Sequence, residues 1–346
     1  MKKPTCWAII ALFSILYACQ SAPKEDQTDT ENPGSTYPTA GKIEKLSEKL
    51  DALIAAESLP EILAEGFDWT EGPLWIADKQ MLLFSDIPPN SIYSWSEKEG
   101  KKLYLKPSGY TGTAPRQGEP GSNGLLLDAE GHLVLCQHGD RQMGRMDASI
   151  DAPEAKFISL VNQYQGKKLN SPNDAVYNSK GELFFTDPPY GLEGNINDPK
   201  KEIPFQGVYK LTTTGELVLL TDQMSRPNGI AFSPDEKTLY VANSDPEKAI
   251  WMAFDVTPEG ITNGRVFFDA TSLVGEERKG LPDGLKVHKS GHLFATGPGG
   301  VFIFSPTGEH LGTILTGQAT SNCAFNEDQS TLFITADMYL MRIAVK

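Results

Sequence analysis

One local plan recurs along this chain and constrains its fold more than any other feature. An oxygen-bearing side chain stands just before an apolar strand start, first in Trp69-Thr70-Glu71-Gly72-Pro73-Leu74-Trp75. The plan returns in Ser122-Asn123-Gly124-Leu125, Pro172-Asn173-Asp174-Ala175 and Pro227-Asn228-Gly229-Ile230. It returns twice more, in Pro282-Asp283-Gly284-Leu285 and Ser321-Asn322-Cys323-Ala324. The key positions, Glu71, Asn123, Asn173, Asn228, Asp283 and Asn322, lie 52, 50, 55, 55 and 39 residues apart. Self-similarity at such a period points to a repeat architecture.

Each copy continues as an apolar strand, a turn and a second strand. Leu125 to Leu135, Ala175 to Phe185, Ile230 to Val241, Leu285 to Phe294 and Ala324 to Ile334 share this layout, with turns such as Asp-Ala-Glu-Gly and Asn-Ser-Lys-Gly. These are hairpin turns by composition. A third strand usually follows, as in Gly207-Val208-Tyr209-Lys210-Leu211, and then a fourth, as in Leu217-Val218-Leu219-Leu220. Six repeats of four strands predict an all-β, six-bladed β-propeller over residues 60–346. The last repeat stops at a third strand, Met341 to Val345, while Glu61 to Gly66 has no blade before it. That surplus strand is expected to complete the last blade and close the ring, removing an open edge.

The N-terminal region has a different composition. Lys2 and Lys3 precede a short apolar run from Trp7 to Tyr17, the pattern of a signal peptide over 1–18. Leu16-Tyr17-Ala18-Cys19 resembles a bacterial lipobox, which makes Cys19 the expected lipidation site, and Gln20 fits a lipoprotein sent to the outer membrane. The chain is therefore expected to be exported, in the periplasm or at the outer membrane, touching a membrane only through that anchor. Residues 19–41, rich in Ser, Thr, Pro and acids, read as a disordered tether. Over 42–59, Ile43, Leu46, Leu50, Leu53 and Ile54 recur at spacings of three and four, which predicts an amphipathic helix against the domain's outside.

Net charge among the 346 residues is −14, against sequence-independent nucleic-acid binding, which needs a basic footprint. Of four cysteines, Cys136 and Cys323 fall in the domain and read as buried, unpaired thiols.

In a propeller the first strand of every blade runs along the central channel, so the six key side chains should form a ring at one mouth. Asn or Asp before Gly could be turn chemistry alone. That accounts poorly for six aligned oxygens, including Glu71. Two carboxylates across a narrow channel repel, and burial of charge is costly without a counter-ion. One divalent cation resolves both. Hard carboxylate and amide oxygens suit Ca²⁺ or Mg²⁺, with Mn²⁺ or Zn²⁺ as further alternatives.

The motifs Glu71-Gly72-Pro73-Leu74-Trp75, Ser171-Pro172-Asn173-Asp174, Arg226-Pro227-Asn228-Gly229-Ile230 and Leu281-Pro282-Asp283-Gly284 resemble the regucalcin/gluconolactonase family of calcium-dependent lactonases. Phe185-Thr186-Asp187-Pro188-Pro189-Tyr190-Gly191 is similar to its bacterial gluconolactonase branch. The resemblance implies that Glu71, Asn228 and Asp283 bind the metal. It implies that Asn173 completes the shell or contacts substrate. The implied reaction is ring opening of a sugar lactone, a small-molecule partner, with the cation polarising the carbonyl. Asp283 is the expected general base and Glu71 the competing candidate. Asn123, His138, Arg141 and Tyr190 are the expected substrate contacts at the rim, built in part by the Pro/Gly-rich insertions 106–121 and 188–206. His132, His288, His292 and His310 are expected to face solvent. A phosphotriesterase-like hydrolase on the same site, or a non-catalytic propeller with a structural metal, are the competing readings.

Overall fold

In the computed structural model, residue 1 and residues 36–346 are described. The signal segment and the Cys19 site lie outside the described residues, and no described helix is long and apolar enough to cross a membrane. Six four-stranded antiparallel sheets follow one another along the chain, one of them extended by a fifth strand. Their innermost strands are Thr70–Ile76, Ser122–Leu127, Ala175–Tyr177, Pro227–Phe232, Leu285–Val287 and Thr320–Phe325. These open blades one to six. The six-bladed propeller expected from the repeat is the architecture observed.

Closure occurs where it was expected. Glu61–Glu65 pairs antiparallel with Tyr339–Ala344 as the outer strand of blade six. Trp75 of blade one stacks on Phe333 of blade six at 5.2 Å. The Ser321 hydroxyl donates to Thr70 O across the same junction at 2.6 Å. Between blades the contacts are apolar: Phe184 meets Phe232 edge-on, and Trp251 of blade four packs on Phe302 and Phe304 of blade five.

Buried hydroxyls stitch the blades near the channel. Ser85 donates to Asn123 O (2.8 Å), Thr186 to Asn228 O (2.7 Å) and Thr296 to Ser321 O (2.8 Å). In each case a second strand satisfies a carbonyl at the start of the next blade, where the inner strand's own ladder is interrupted.

The amphipathic helix expected over 42–59 does not form. Lys42–Lys45 is a strand, paired with His310–Leu315 as the fifth strand of blade five. Glu48–Ala52 makes a single 3₁₀ turn capped by Ser47. Leu50, Leu53 and Ile54 bury against blades five and six, whereas Leu46 is exposed. The three-and-four spacing was that of one turn sealing a blade edge. Of the tether expected over 19–41, residues 19–35 lie outside the described residues, and from Tyr37 onward the chain is held by the domain. Thr39 bridges Glu61, Ala40 N–H donates to Pro60 O, and Tyr37 packs edge-on against Trp95 and donates to Glu97.

Candidate active site

The six key residues sit where the inner strands are irregular. The strand register shifts between Glu71 and Leu74, Ser122 and Leu125, Pro227 and Ile230, and Thr320 and Asn322. A bulge breaks the in–out alternation and re-aims a side chain. In blades three and five the regular strand starts only after Asn173 and Asp283. There the backbone is held by Asn173 N–H to Thr186 O (2.9 Å) and Asp283 N–H to Thr296 O (3.0 Å).

The glycine after the key residue has a second role. A Cβ on Gly72, which sits at φ +50°, would lie 2.1 Å from Asn123 O, and one on Gly229 would lie 2.2 Å from Asp283 O. On Gly284 it would meet the Asn322 amide at 2.0 Å. Glycine is required because the next blade's key residue lies directly against it. Turn chemistry is not the reason.

Glu71, Asn123, Asn173, Asn228 and Asp283 converge on one cavity of about 220 Å³. Asn322, the sixth, sits behind it: its Nδ2 donates to Glu71 Oε2 at 3.1 Å, and Gly72 N–H donates to the same oxygen at 2.8 Å. Asn322 Oδ1 accepts from Cys323 N–H at 2.8 Å and lies 3.4 Å from Lys286 Nζ, which fixes the amide's orientation. The buried Oδ1 atoms of Asn123, Asn173 and Asp283 have no hydrogen-bond partner. Buried oxygens left without donors are costly, and here three of them line one cavity with Glu71 and Asn228. That donor set fits a hard divalent cation.

Burial pushes the Glu71 carboxyl up to about 7, with the nearby Asp174 carboxylate adding to the rise and the Gly72 N–H opposing it. Asp283 is pushed well above the usual carboxylate range, first by burial and then by Glu71 and Asp174. Asp174, not singled out in the sequence, lies in the channel with its Oδ2 3.9 Å from Lys286 Nζ.

Other expected residues divide. Tyr190 lines the cavity, its hydroxyl donating to Ser244 O at 3.3 Å and pushed up to about 12 by burial. Arg141 does not reach the cavity. It adopts a left-handed backbone (φ 62°), and its guanidinium donates to Leu169 O at 2.7 Å and Lys200 O at 3.0 Å. His138 is fully buried and stands behind Glu119, 3.3 Å from Nδ1 to Oε2. His288 is buried and His310 stacks on Phe302 at 4.7 Å, so neither faces solvent as expected. The blades' turns and outer strands pack against one another more closely than the pattern suggested. Cys136 and Cys323 are buried and free, as expected.

Two charged residues lining the cavity were not among the expected site residues. Arg226 stood in a quoted motif and carries its guanidinium 6.0 Å over the Tyr190 ring. Glu119 comes from the 106–121 insertion, recognised as a rim segment but with no local signal marking this acid. Asp128, Glu130 and His132 also cluster. They form a hairpin turn in which Asp128 accepts the Glu130 and His132 N–H groups, at the far end of the blade-two inner strand from Asn123.

Fold and site together define a six-bladed propeller with a carboxylate–amide ring at one mouth of its channel. The chain belongs to the SMP-30/gluconolactonase/LRE-like family, whose model matches residues 69–337. A gluconolactonase of Zymomonas mobilis is 39% identical over 353 residues, covering 100% of this chain and 98% of that protein. A solved gluconolactonase from Xanthomonas campestris is 31% identical, with TM-score 0.75 over 89% of this chain and 97% of that one. A calcium-binding regucalcin from Agrobacterium tumefaciens shares the fold at 19% identity, with TM-score 0.64 over 82% of this chain and 94% of that one.

Proposed function

We propose that the protein hydrolyses aldonolactones, glucono-1,5-lactone foremost, at a divalent cation held by Glu71, Asn173, Asn228 and Asp283. The observation that carries this reading is the set of donor-less buried oxygens on Asn123, Asn173 and Asp283, facing one cavity beside Glu71 and Asn228. Similarity to gluconolactonases along the whole chain supports the substrate class. The cavity, about 220 Å³, is small beside drug-sized pockets and suits a single sugar ring. Ca²⁺ is the first choice of ion, because carboxylate and amide oxygens at irregular positions match its flexible shell.

When bound, the cation supplies Lewis-acid polarisation of the lactone carbonyl. The residues divide the remaining work by their hydrogen bonds. Glu71 has Oε2 tied to Gly72 N–H and Asn322 Nδ2, so it is held as a ligand. Asp283 has a free Oδ1 and is the one ring residue that is not fully buried. We assign it the proton of the attacking water. We assign the sugar hydroxyls to Asn123, Tyr190 and Arg226, which line the same cavity.

The test strips the metal and restores Ca²⁺, Mg²⁺, Mn²⁺ or Zn²⁺, assaying gluconolactone, xylonolactone and a phosphotriester. Lactone hydrolysis should vanish on stripping and return with Ca²⁺. Asp283→Asn should lower kcat by about 10³-fold, as loss of both a ligand and a base implies. Activity that survives thorough chelation would refute the metal-dependent reading. Preference for the phosphotriester would move the substrate class.

We also propose that Cys19 carries the lipid anchor and that the protein works outside the cytoplasm, on the lipobox-like Leu16-Tyr17-Ala18-Cys19. Cys19→Ser should abolish palmitate labelling and release the protein from membranes. Unchanged labelling would exclude that site.

A further inference from the structure

Opening a lactone needs more than a base for the attacking water. The ring oxygen leaves as an alkoxide, a poor leaving group, and must gain a proton as its bond to the carbonyl carbon breaks. The described residues lining the cavity include five ionisable side chains: Glu71, Asp283, Arg226, Tyr190 and Glu119. Glu71 and Asp283 belong to the ring. The Arg226 guanidinium is a hydrogen-bond donor only. Tyr190 already donates its hydroxyl to Ser244 O. Glu119 is the remaining group able to give up and retake a proton.

Glu119 is positioned by a strapped loop. At the loop's start, Asn90 Oδ1 accepts the N–H groups of Ser108, Gly109 and Tyr110 at 2.8–3.2 Å. Thr111 is bonded to Asp140 through its hydroxyl at 2.7 Å. Arg116 donates to Gly139 O and to Gly191 O, fastening the loop to the rims of blades two and three. At its end Gly121 N–H donates to Ile87 O at 3.0 Å, and a Cβ on Gly121 would lie 2.5 Å from that oxygen.

Behind Glu119 stands His138, wholly buried, with no hydrogen-bond partner on either ring nitrogen. Its Nδ1 lies 3.3 Å from Glu119 Oε2. A buried imidazole without partners is unfavourable as packing alone. Here it faces one carboxylate, and that carboxylate lines the cavity.

Building on the lactonase reading, we infer that Glu119 is the general acid of the ring opening and that His138 is the residue that positions it and shares its proton. The water oxygen bonds to the carbonyl carbon as its proton passes to Asp283. The carbonyl π pair, moved onto the carbonyl oxygen by the attack, returns to that carbon as its bond to the ring oxygen breaks, and the electron pair of that bond stays on the ring oxygen. That oxygen takes the Glu119 carboxyl proton, which His138 Nδ1, 3.3 Å from Oε2, is placed to replace. The new carboxylic acid ionises, Asp283 releases its proton to solvent, and the Glu119–His138 pair regains one from solvent at the cavity mouth.

The test uses the full chain loaded with Ca²⁺. Glu119→Gln should lower kcat on gluconolactone by about 100-fold or more, the usual weight of general acid–base catalysis. KM, Ca²⁺ affinity by calorimetry and thermal midpoint should stay close to wild type. His138→Leu should lower kcat by about tenfold or more, and His138→Gln, which can still donate to Oε2, should recover most of it. The double variant Glu119→Gln/His138→Leu should be no slower than Glu119→Gln alone, since coupled groups are not additive. A Glu119→Gln enzyme within about threefold of wild-type kcat overturns the inference, as does a loss confined to KM or to Ca²⁺ affinity. Additive effects in the double variant overturn the role given to His138. A wild-type protein inactive on every lactone would remove the lactonase reading and this one with it, whereas an active wild type with an unaffected Glu119→Gln removes this one alone.

Discussion

Glu71 and Asp283 stand on blades one and five, yet both face one small cavity; burial and the nearby Asp174 raise both carboxyls, and Glu71 raises Asp283 further. A carboxyl raised in the folded state favours the protonated fold. The stability that Glu71 contributes is therefore complete below its ordinary value of 4.5 and is lost as pH climbs through about 7. Asp283, raised further, acts in the same direction. The metal-free protein should thus melt at a lower temperature at pH 8 than at pH 5, and Ca²⁺ should raise the midpoint more at pH 8, where it does not compete with protons. Scanning calorimetry in chelator and in Ca²⁺ checks both; a metal-free midpoint that rises from pH 5 to 8 would contradict the burial of this pair. The ring itself was legible in the sequence because six copies of one position carry one message. Glu119 was not, since a single acid in a loop looks like any solvated charge until the loop is folded over a cavity. Arg141 was misplaced for a related reason: it falls in the turn after the second strand of blade two, where a left-handed backbone turns its side chain to the carbonyls of 168–170.

At the scale of elements, the inner strands combine two local rules that a strand normally excludes, a register shift and a glycine. The shift aims the side chain inward, and the glycine lets the neighbouring blade approach. Gly229→Ala should show their joint cost. Its Cβ would lie 2.2 Å from Asp283 O, so blade five must move, at about 1–3 kcal/mol of stability by the usual scale of overpacking. Ca²⁺ affinity should weaken with it, because the displaced backbone carries a ring residue. Denaturant titration and calorimetry measure the two effects; an unperturbed Gly229→Ala would mean that the close approach is relieved elsewhere. In the sequence these glycines admitted a plainer reading as turn-formers, because adjacency between blades is not visible along one strand. The 42–59 segment shows the same gap from the other side. Its apolar spacing was real, but only a neighbouring sheet edge decides between a helix and a strand followed by one 3₁₀ turn.

On the scale of the whole molecule, closure is secured by a clasp on the outside of the ring. Arg342 of blade six pairs with Glu61 at 2.7 Å and with Glu97 of blade one. Its guanidinium also lies 5.1 Å over Tyr37 and 5.8 Å from the Trp95 ring. One side chain thus joins the last blade, the first blade and the N-terminal strand. Arg342→Ala should cost about 1–3 kcal/mol, above a typical surface ion pair, because several partners lose it together. Thermal denaturation of the metal-loaded protein reads the loss; a change under about 0.5 kcal/mol would reduce the clasp to ordinary surface charge.

The ring's closure also has a consequence in time. Strand Glu61–Glu65 leaves the ribosome before the inner strand of any blade, yet its partner, Tyr339–Ala344, emerges only after all six. The hydrogen bond from Asn322 to Glu71 spans 251 positions of the chain. Until those late residues arrive, Glu71 has no amide behind it, blade six has no outer strand, and the cavity lacks one wall. A growing chain can fold blades as they emerge, but it cannot assemble the site piecemeal. Order of synthesis therefore works as a latch: the site is complete only once the blade-six hairpin meets strand Glu61–Glu65.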